Sequence, residues 1–503
     1  MQIPFTKMNS QGNDFVVIDN TNLLYQFNNK KIRSICSRDI IGCDQLLLLN
    51  IKDSNNVICE IFNQDGSSAQ QCGNGMRAIM LFLNRKYNFF DSKIFMNSVP
   101  YDVSFVNEKE IKGYLLKMKG EVESLSITGI FSKTLPNQEL KVAEWAKNVL
   151  GTGIKISCSH QVGGLGLLER ENASILNASL KGVATKMVTA FKETIKKLGL
   201  NSQLFIGQND GTLMSLEQVQ EFPVLTISSG PTNSIRGAGA LSKISNGIVI
   251  DVGGTTSDGG VLVNYFPRES TQSAQIGGVR TNFRMPDVVA VGIGGGTTIR
   301  IQKEHCQLGP DSVGYQLKEK GIAFGGNVLT ISDVFIAEEQ LHITGASRSE
   351  ILKKEISKVM NLPYERILQK VKETIQIAIE KLVDTLKTDG KDIPVIACGG
   401  GAFLLPQKIA GASKVVFPEH MEVANAFGAC IAQISSEEEI VINTIQKNEK
   451  NELKNLLEKV TTNLLQKGAL ASSIDVLMKE STPLAYLPGA VKLKVKLCGD
   501  FIS

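Results

Sequence analysis

The string Asp251-Val252-Gly253-Gly254-Thr255-Thr256-Ser257-Asp258 sets a carboxylate at each end of a Gly-Gly-Thr-Thr turn. An apolar run, residues 247–250, leads into it, and another, residues 260–263, leads out. Backbone N–H groups in such a strand–turn–strand can wrap a phosphate, Thr hydroxyls add donors, and Asp251 and Asp258 can hold Mg²⁺ through water. The plain alternative is a tight hairpin. A second turn, Gly399-Gly400-Gly401-Ala402, follows its own apolar run at 393–397 and offers backbone for an adenosine to lie against. Two such turns favour nucleotide binding. Near the N-terminus, Cys72-Gly73-Asn74-Gly75 opens an apolar helix. A thiol there sees the helix dipole and unpaired N–H groups, which favour thiolate, and the glycines let amides approach a carboxylate. Asn13, Gln45 and Asn63 lie in polar strings upstream and suit the polar ends of an amino acid. A lone Cys more often reads as a small buried hydrophobe. His160, His305, His342 and His420 show no metal-ligand spacing.

These groups need rigid elements behind them. Short apolar runs predict strands at 15–19, 46–51 and 393–397. Apolar residues at helical spacing, Leu180, Val183, Met187, Phe191, Ile195 and Leu198, predict a helix stopped by Gly199. Ile367, Val371, Ile375, Ile379, Leu382 and Leu386 predict another before Asp389-Gly390. Helix, strand and Gly turn in succession give an α/β class with ligand loops at strand ends. Residues 435–458, rich in Glu, Lys and Asn, read as a solvated helical face.

Composition divides the chain. Residues 1–107 hold nine of the 21 Phe and fifteen Asn, whereas 230–326 hold nineteen of the 46 Gly. The boundary is expected near 107–113, a charged stretch ending in Gly113, and between about 105 and 125, as a break between two cores. The 503 residues suit roughly three domains. A net charge of +4 excludes a dedicated nucleic-acid binder, and no run of apolar residues is long enough for a membrane span. Nine scattered Cys without CxxC spacing argue for a reducing compartment, the cytoplasm.

The strings GNDFVVID and FNQDGSSAQQCGNGMRA resemble the N-terminal half of diaminopimelate epimerase over residues 1–107. That resemblance implies a thiol, Cys72, acting on the α-carbon of an amino acid together with a second cysteine from another half. Asn13, Gln45, Asn63, Gly73 and Asn74 match the substrate-contact positions. The string Ala397-Cys398-Gly399-Gly400-Gly401 lacks the context of the second cysteine motif, and a buried strand end explains Cys398 better.

The strings Glu169-Arg170-Glu171-Asn172-Ala173, Gln208-Asn209-Asp210-Gly211-Thr212-Leu213-Met214, Ser229-Gly230-Pro231-Thr232-Asn233-Ser234 and Gly278-Val279-Arg280-Thr281-Asn282-Phe283-Arg284-Met285-Pro286-Asp287 follow in order, as do Gly292-Ile293-Gly294-Gly295-Gly296 and Pro483-Leu484-Ala485-Tyr486-Leu487-Pro488-Gly489. Over residues 113–503 the chain is similar to the hydantoinase/oxoprolinase family, hydantoinase A type. The resemblance implies an actin-like ATPase domain over 113–430, incomplete on its N-terminal side, with a C-terminal helical segment and tail over 431–503. It implies ATP- and Mg²⁺-dependent opening of a cyclic amide by hydrolysis of a C–N bond, commonly beside a second hydantoinase-type subunit or in a homo-oligomer. Asp251, Asp258, Gly253, Gly254, Thr255 and Thr256 would hold phosphate and metal, with Gly399, Gly400 and Gly401 as the second loop. Arg280, Arg284 and Asp287 would meet substrate or phosphate, the plain alternative for the two Arg being ion pairs. Chains of this type begin with a phosphate turn of their own. Here the epimerase-like stretch stands in that place, and Val16-Val17-Ile18-Asp19-Asn20 lacks the glycines for it. Impaired turnover, an epimerase acting through Cys72, and a non-catalytic fusion are the competing readings.

Overall fold

The computed structural model describes residues 3–10, 13–69, 72–89, 91–96, 98–104, 108–130, 132–133, 136–164, 166–270, 274–302, 305–444, 447–484 and 489–502. The chain divides into two compact units, residues 1–122 with 135–154, and residues 123–134 with 155–503. The sequence placed the break near 107–113, between about 105 and 125, and the first crossing, after residue 122, falls in that range. Asn107 lies outside the described residues, and the first unit runs on through the helix Glu108–Met118 and takes back the helix Asn137–Leu150. The charged stretch makes a helix, with Glu108 and Glu110 in its first turn where the dipole favours them. The two helices pack on each other, with Lys112 over the Trp145 ring.

The first unit is built on six strands in sequential order: β1 Thr6–Ser10, β2 Asn13–Asp19, β3 Gln45–Asp53, β4 Asn56–Asn63, β5 Asp91–Met96 and β6 Val99–Ser104. Pairing alternates, with β2–β3 and β4–β5 parallel and the others antiparallel. The helix Gly73–Tyr87 touches β1, β2, β5 and β6, so the sheet curls about it. Residues 78–83 of that helix are all buried, as an apolar helix enclosed on every side must be. The opposite face of the sheet, with Val16, Ile18 and Leu46, is covered by Ile32 and Cys36 of the helix Asn29–Cys36.

The second unit centres on a sheet in the order Phe266–Pro267, Ser257–Val263, Gly247–Val252, Ile393–Cys398, Ala412–Val416, with Val288–Val291 also paired to Ser257–Val263. Gly247–Val252 runs antiparallel to Ser257–Val263 and parallel to Ile393–Cys398. Ile248, Ile250 and Val252 face the helix Tyr364–Leu386, whose Ile367, Val371, Ile375, Ile379, Leu382 and Leu386 are buried at the predicted spacing. Val249 faces the other way, onto Ile235, Ala238, Leu262, Ile396 and Ala424. Strands buried on both faces read as continuous apolar runs, which is why these were visible in the sequence.

The C-terminal stretch corrects the expectation of a helical segment. Ile434–Asn443, Asp475–Pro483 and Ala490–Gly499 are strands of one sheet with Leu213–Ser215 and Phe205–Gly207, and the helix Glu449–Gln466 packs on it. Glu437 and Glu439 alternate along their strand opposite Lys496 and Lys494. Their charges are met across the sheet, with Lys494 3.3 Å from Glu437 and Lys492 3.5 Å from Glu439, instead of being solvated on a helix. Residues 485–488 of the string ending at Gly489 lie outside the described residues. No helix of the described residues is long and apolar enough to cross a membrane.

Candidate functional site

Asp251 and Asp258 are cross-strand partners on the hairpin Gly247–Val252/Ser257–Val263. They therefore share a face of the sheet, the face of Val249. The turn between them is closed by the Gly253 N–H donating to Thr256 O at 2.8 Å. Gly254 and Thr255 form its exposed tip, and their N–H groups carry no hydrogen bond to the described residues. Ile393–Cys398 lies beside the hairpin with Cys398 in register with Asp251, so residues 399–402 leave the sheet at the same end. The Gly401 N–H donates to Val252 O at 2.8 Å and joins the two loops. Gly400 is exposed at the tip of the second loop.

A third loop joins them, within the string Gly292-Ile293-Gly294-Gly295-Gly296. The Gly295 N–H donates to Gly253 O at 3.0 Å and the Gly296 N–H to Gly254 O at 2.7 Å. A β-carbon on Gly294 would stand 2.6 Å from Thr255 N, so only glycine lets the two backbones approach this closely. The turn at 253–256 is thereby held from behind by main chain, with its tip left free. The signal was the run of three glycines after an apolar strand, but a glycine run does not say which backbone it approaches.

Burial, and then the neighbouring Asp251, push the Asp258 carboxyl up from its ordinary range. No Lys or Arg among the described residues pairs with either carboxylate. Two adjacent carboxylates without a counter-charge fit a hydrated divalent cation, which such a hard-oxygen set prefers. Cys398, fully buried beside Asp251, has its thiol pushed well up by burial and by that carboxylate. It stays protonated in the strand, as its context implied.

The remaining candidates of this unit lie elsewhere. Arg284 is enclosed by carboxylates: Asp210 at 2.9 Å, Glu437 at 2.6 Å and Glu269 at 3.6 Å. Lys496 reaches Asp210 at 2.6 Å and Glu269 at 3.0 Å. Burial alone would raise the Glu437 carboxyl; Arg284, Lys496 and Lys494 outweigh it and hold it at about 2. Asp210, 1% exposed, is likewise held far below its usual range against its own burial by Arg284 and Lys496. Arg284 is thus committed to a closed charge cluster and not to an open cleft. Asp287 is held by Arg268. Arg280 lies exposed on the small hairpin Ala274–Ile276/Val279–Thr281, where its carbonyl accepts from Asn172 at 2.9 Å. Two of the family strings bind one another, Asn209 donating to Arg284 O at 2.6 Å, and Asn282 accepts from the Gly164 N–H at 3.0 Å.

In the first unit, Cys72 caps the helix Gly73–Tyr87 in an extended conformation, its sulfur accepting from the Gly75 N–H at 3.2 Å. Asn13 begins β2, Gln45 begins β3 and Asn63 ends β4, so all three stand at one end of the sheet. Gln45 and Asn63 are in register and bonded, Gln45 Nε2 donating to Asn63 Oδ1 at 3.0 Å. Gln45 shares its face with Leu47, which lies 3.5 Å from where a β-carbon on Gly75 would be. The polar strand ends thus face the capped helix start. Gln45 Oε1 is buried with no partner among the described residues. Gly73 and Asn74 open the helix, and the Asn74 side chain lies outside the described residues.

Comparison with known proteins follows the same division. The hydantoinase/oxoprolinase pattern matches residues 170–438, more than half of the chain. The chain belongs to this family. The diaminopimelate epimerase pattern matches residues 5–94, so the molecule has a two-part, chimera-like architecture. An uncharacterized protein of Methanocaldococcus jannaschii is 23% identical over 386 residues, 70% of this chain and 56% of that one. Diaminopimelate epimerases of Pelagibacter ubique and Coxiella burnetii are 40% and 44% identical over 86 residues. Those matches cover 31% of each epimerase, so the chain spans about half of the first relative and a third of the others. Among solved structures, the ATP-dependent caprolactamase of Pseudomonas jessenii superposes with TM-score 0.64 at 17% identity, covering 81% of this chain and 69% of that one. A nucleotide-free acetone carboxylase superposes with TM-score 0.57 at 16% identity, covering 82% and 69%. These two share the α/β fold of the larger unit.

Proposed function

We propose that the larger unit uses ATP to activate the carbonyl of a small cyclic amide, of hydantoin or oxoproline type, for hydrolysis of its C–N bond. The observation that carries this reading is the convergence of the turn at 253–256, the loop at 399–401 and the loop at 294–296 at one end of the central sheet, beside Asp251 and Asp258. An amide in a five-membered ring is a poor electrophile. ATP, held with Mg²⁺ on Asp251 and Asp258, would supply a phosphoryl group to the amide oxygen, which makes the ring carbon open to attack by water so that the ring nitrogen can leave. The chain's part is positioning: the free N–H groups of Gly254 and Thr255 face the phosphates, the Thr255 and Thr256 hydroxyls add donors, and the main chain of 294–296 keeps the turn rigid. The hydrolase fold of caprolactamase and the carboxylase fold of acetone carboxylase, both described as ATP-dependent, support an actin-like ATPase assignment.

A second hydantoinase-type subunit or a further copy of this chain completes the reaction in this reading, and the setting is the cytoplasm, where nine free thiols persist. The test is phosphate release from ATP by the purified chain, with and without hydantoins, oxoproline and caprolactam. Release stimulated by one of these rings, and lost in Asp251→Asn, is the expected result. Failure of Mg·ATP to bind at all would overturn it. A second reading rests on Cys72 and the unpartnered Gln45 Oε1: the first unit binds an amino acid at one half of an epimerase site.

A further inference from the structure

Directly beyond Ala402 the chain forms the wall of a pocket of about 560 Å³. Its apolar lining includes Phe335, Phe403 and Phe417, with Phe335 and Phe403 in edge contact at 5.3 Å between ring centres. Its polar lining is Gln340, Gln376, Gln407 and one cation, Lys372. The volume and the mix of aromatic rings and amides suit a flat heteroaromatic ligand. The pocket wall begins one residue after the turn made by Ala402 N–H to Gly399 O, so it follows the second glycine loop directly along the chain.

Gln376 is the informative wall residue. Its Nε2 donates both hydrogens, one to Glu380 Oε1 and one to Lys408 O at 2.9 Å. Both partners are acceptors only, so the amide cannot turn over. The Ala410 N–H holds Glu380 in place at 3.1 Å, and with Gln376 keeps its carboxyl below the usual range. Gln376 Oε1 is therefore presented as a fixed acceptor, and it carries no hydrogen bond from the described residues.

We infer that this pocket receives the purine base of the nucleotide and that Gln376 Oε1 selects adenine by accepting a hydrogen bond from its exocyclic 6-amino group. A 6-oxo purine would set oxygen against oxygen at that point. Gln376 is thus a specificity-determining residue, and Glu380 with Lys408 O positions it. The inference rests on the proposed nucleotide reading and adds to it the choice of base.

The test is calorimetric titration of the full chain with Mg·ATP and with Mg·ITP, which differ in the 6-substituent and, with it, in N1, an acceptor in adenine and an N–H in hypoxanthine. ATP should bind about tenfold more tightly, as one hydrogen bond left unmade dictates. In Gln376→Met, ATP should weaken by about that factor and the two affinities should come within about threefold. The ratio is measured within one protein, so it does not depend on the fraction folded. Phe403→Ala should weaken both nucleotides equally, because stacking does not discriminate between purines. Equal binding of ATP and ITP by the unaltered chain, or a preference that survives Gln376→Met, would overturn the role of Gln376 and leave the phosphate site standing. Indifference of both nucleotides to Phe403→Ala would place the base elsewhere. Failure of either nucleotide to bind would sink the nucleotide reading itself, and this inference with it.

Discussion

Gly399 and Asp251 occupy almost the same space: a β-carbon on Gly399 would lie 2.2 Å from Asp251 Oδ1. Gly399 also has φ +86°, a conformation that L side chains rarely adopt. The carboxylate and the second loop are therefore set by one another. Gly399→Ala is expected to cost about 1–3 kcal/mol from backbone strain, and more as Asp251 is pushed aside. Thermal unfolding would register the first effect. Mg·ATP titration of the still-folded fraction would register the second, as a loss of at least about tenfold in affinity. An Ala variant that binds Mg·ATP normally would show that Asp251 does not need this close approach.

Asp258→Asn separates stability from function in the opposite sense. The folded Asp258 carboxyl titrates above its ordinary value because it is buried and stands beside Asp251. Its ionised form therefore opposes folding as pH rises, and a neutral amide of the same shape relieves that opposition. The expected result is an unfolding temperature equal to or slightly above that of the unaltered chain at neutral pH. Protection by Mg·ATP, which rises with the logarithm of ligand over Kd, should vanish. Protection that persists would mean the cation is held without Asp258.

Arg284 gives a prediction for acid. Glu437 is held at about 2 against an ordinary 4.5, so its contribution to stability is complete above about 4.5 and disappears as pH falls through about 2. Asp210, also depressed, acts in the same direction. Arg284→Met leaves three carboxylates to Lys494 and Lys496 alone and should cost about 3 kcal/mol at neutral pH. It should also move acid unfolding to higher pH, as Glu437 returns toward its ordinary value. Arg284→Lys should recover little, since a single ammonium cannot bridge three carboxylates as a planar guanidinium does. Stability profiles of the three proteins between pH 2 and 7 decide the matter; a profile of Arg284→Met parallel to the parent would refute the cluster's role.

The same residues show what the sequence carried and what it withheld. The hairpin at 251–258 was legible because two apolar strands bracket glycines and threonines whose local geometry follows from their own chemistry. Cys72 at a helix start was legible for the same reason. Arg284 was not, because its partners come from three separate stretches, around Asp210, Glu269 and Glu437; Asn209, to which it is tied, lies 75 residues away. An Arg in a turn-rich string looks like a ligand contact until those carboxylates are placed around it. Glu437 and Glu439 misled in the converse way. A run of Glu reads as solvated helix unless the Lys-rich strand Ala490–Gly499 is known to lie opposite.

Cys72 tests the first unit. The thiol caps a helix that supplies favourable N–H groups, and it is half-buried, whereas Cys36, Cys43 and Cys59 of the same unit are buried. Cys430 in the other unit is exposed, so alkylation should first be read in a Cys430→Ser background. There, iodoacetamide should modify Cys72 ahead of the other thiols, and an amino acid with a free α-carboxylate should slow that reaction if the Gln45–Asn63 face holds it. Epimerisation needs a second acid on the far face of the α-carbon, and the matched region spans only 31% of the epimerases. Deuterium should therefore not exchange into the α-position of diaminopimelate at enzyme-like rates in heavy water. Exchange that is lost in Cys72→Ser would show that another group completes the site. Repeating the measurement over a range of protein concentrations then identifies its source: a rate per chain that rises with concentration means a second copy supplies the acid, and a constant rate means this chain does.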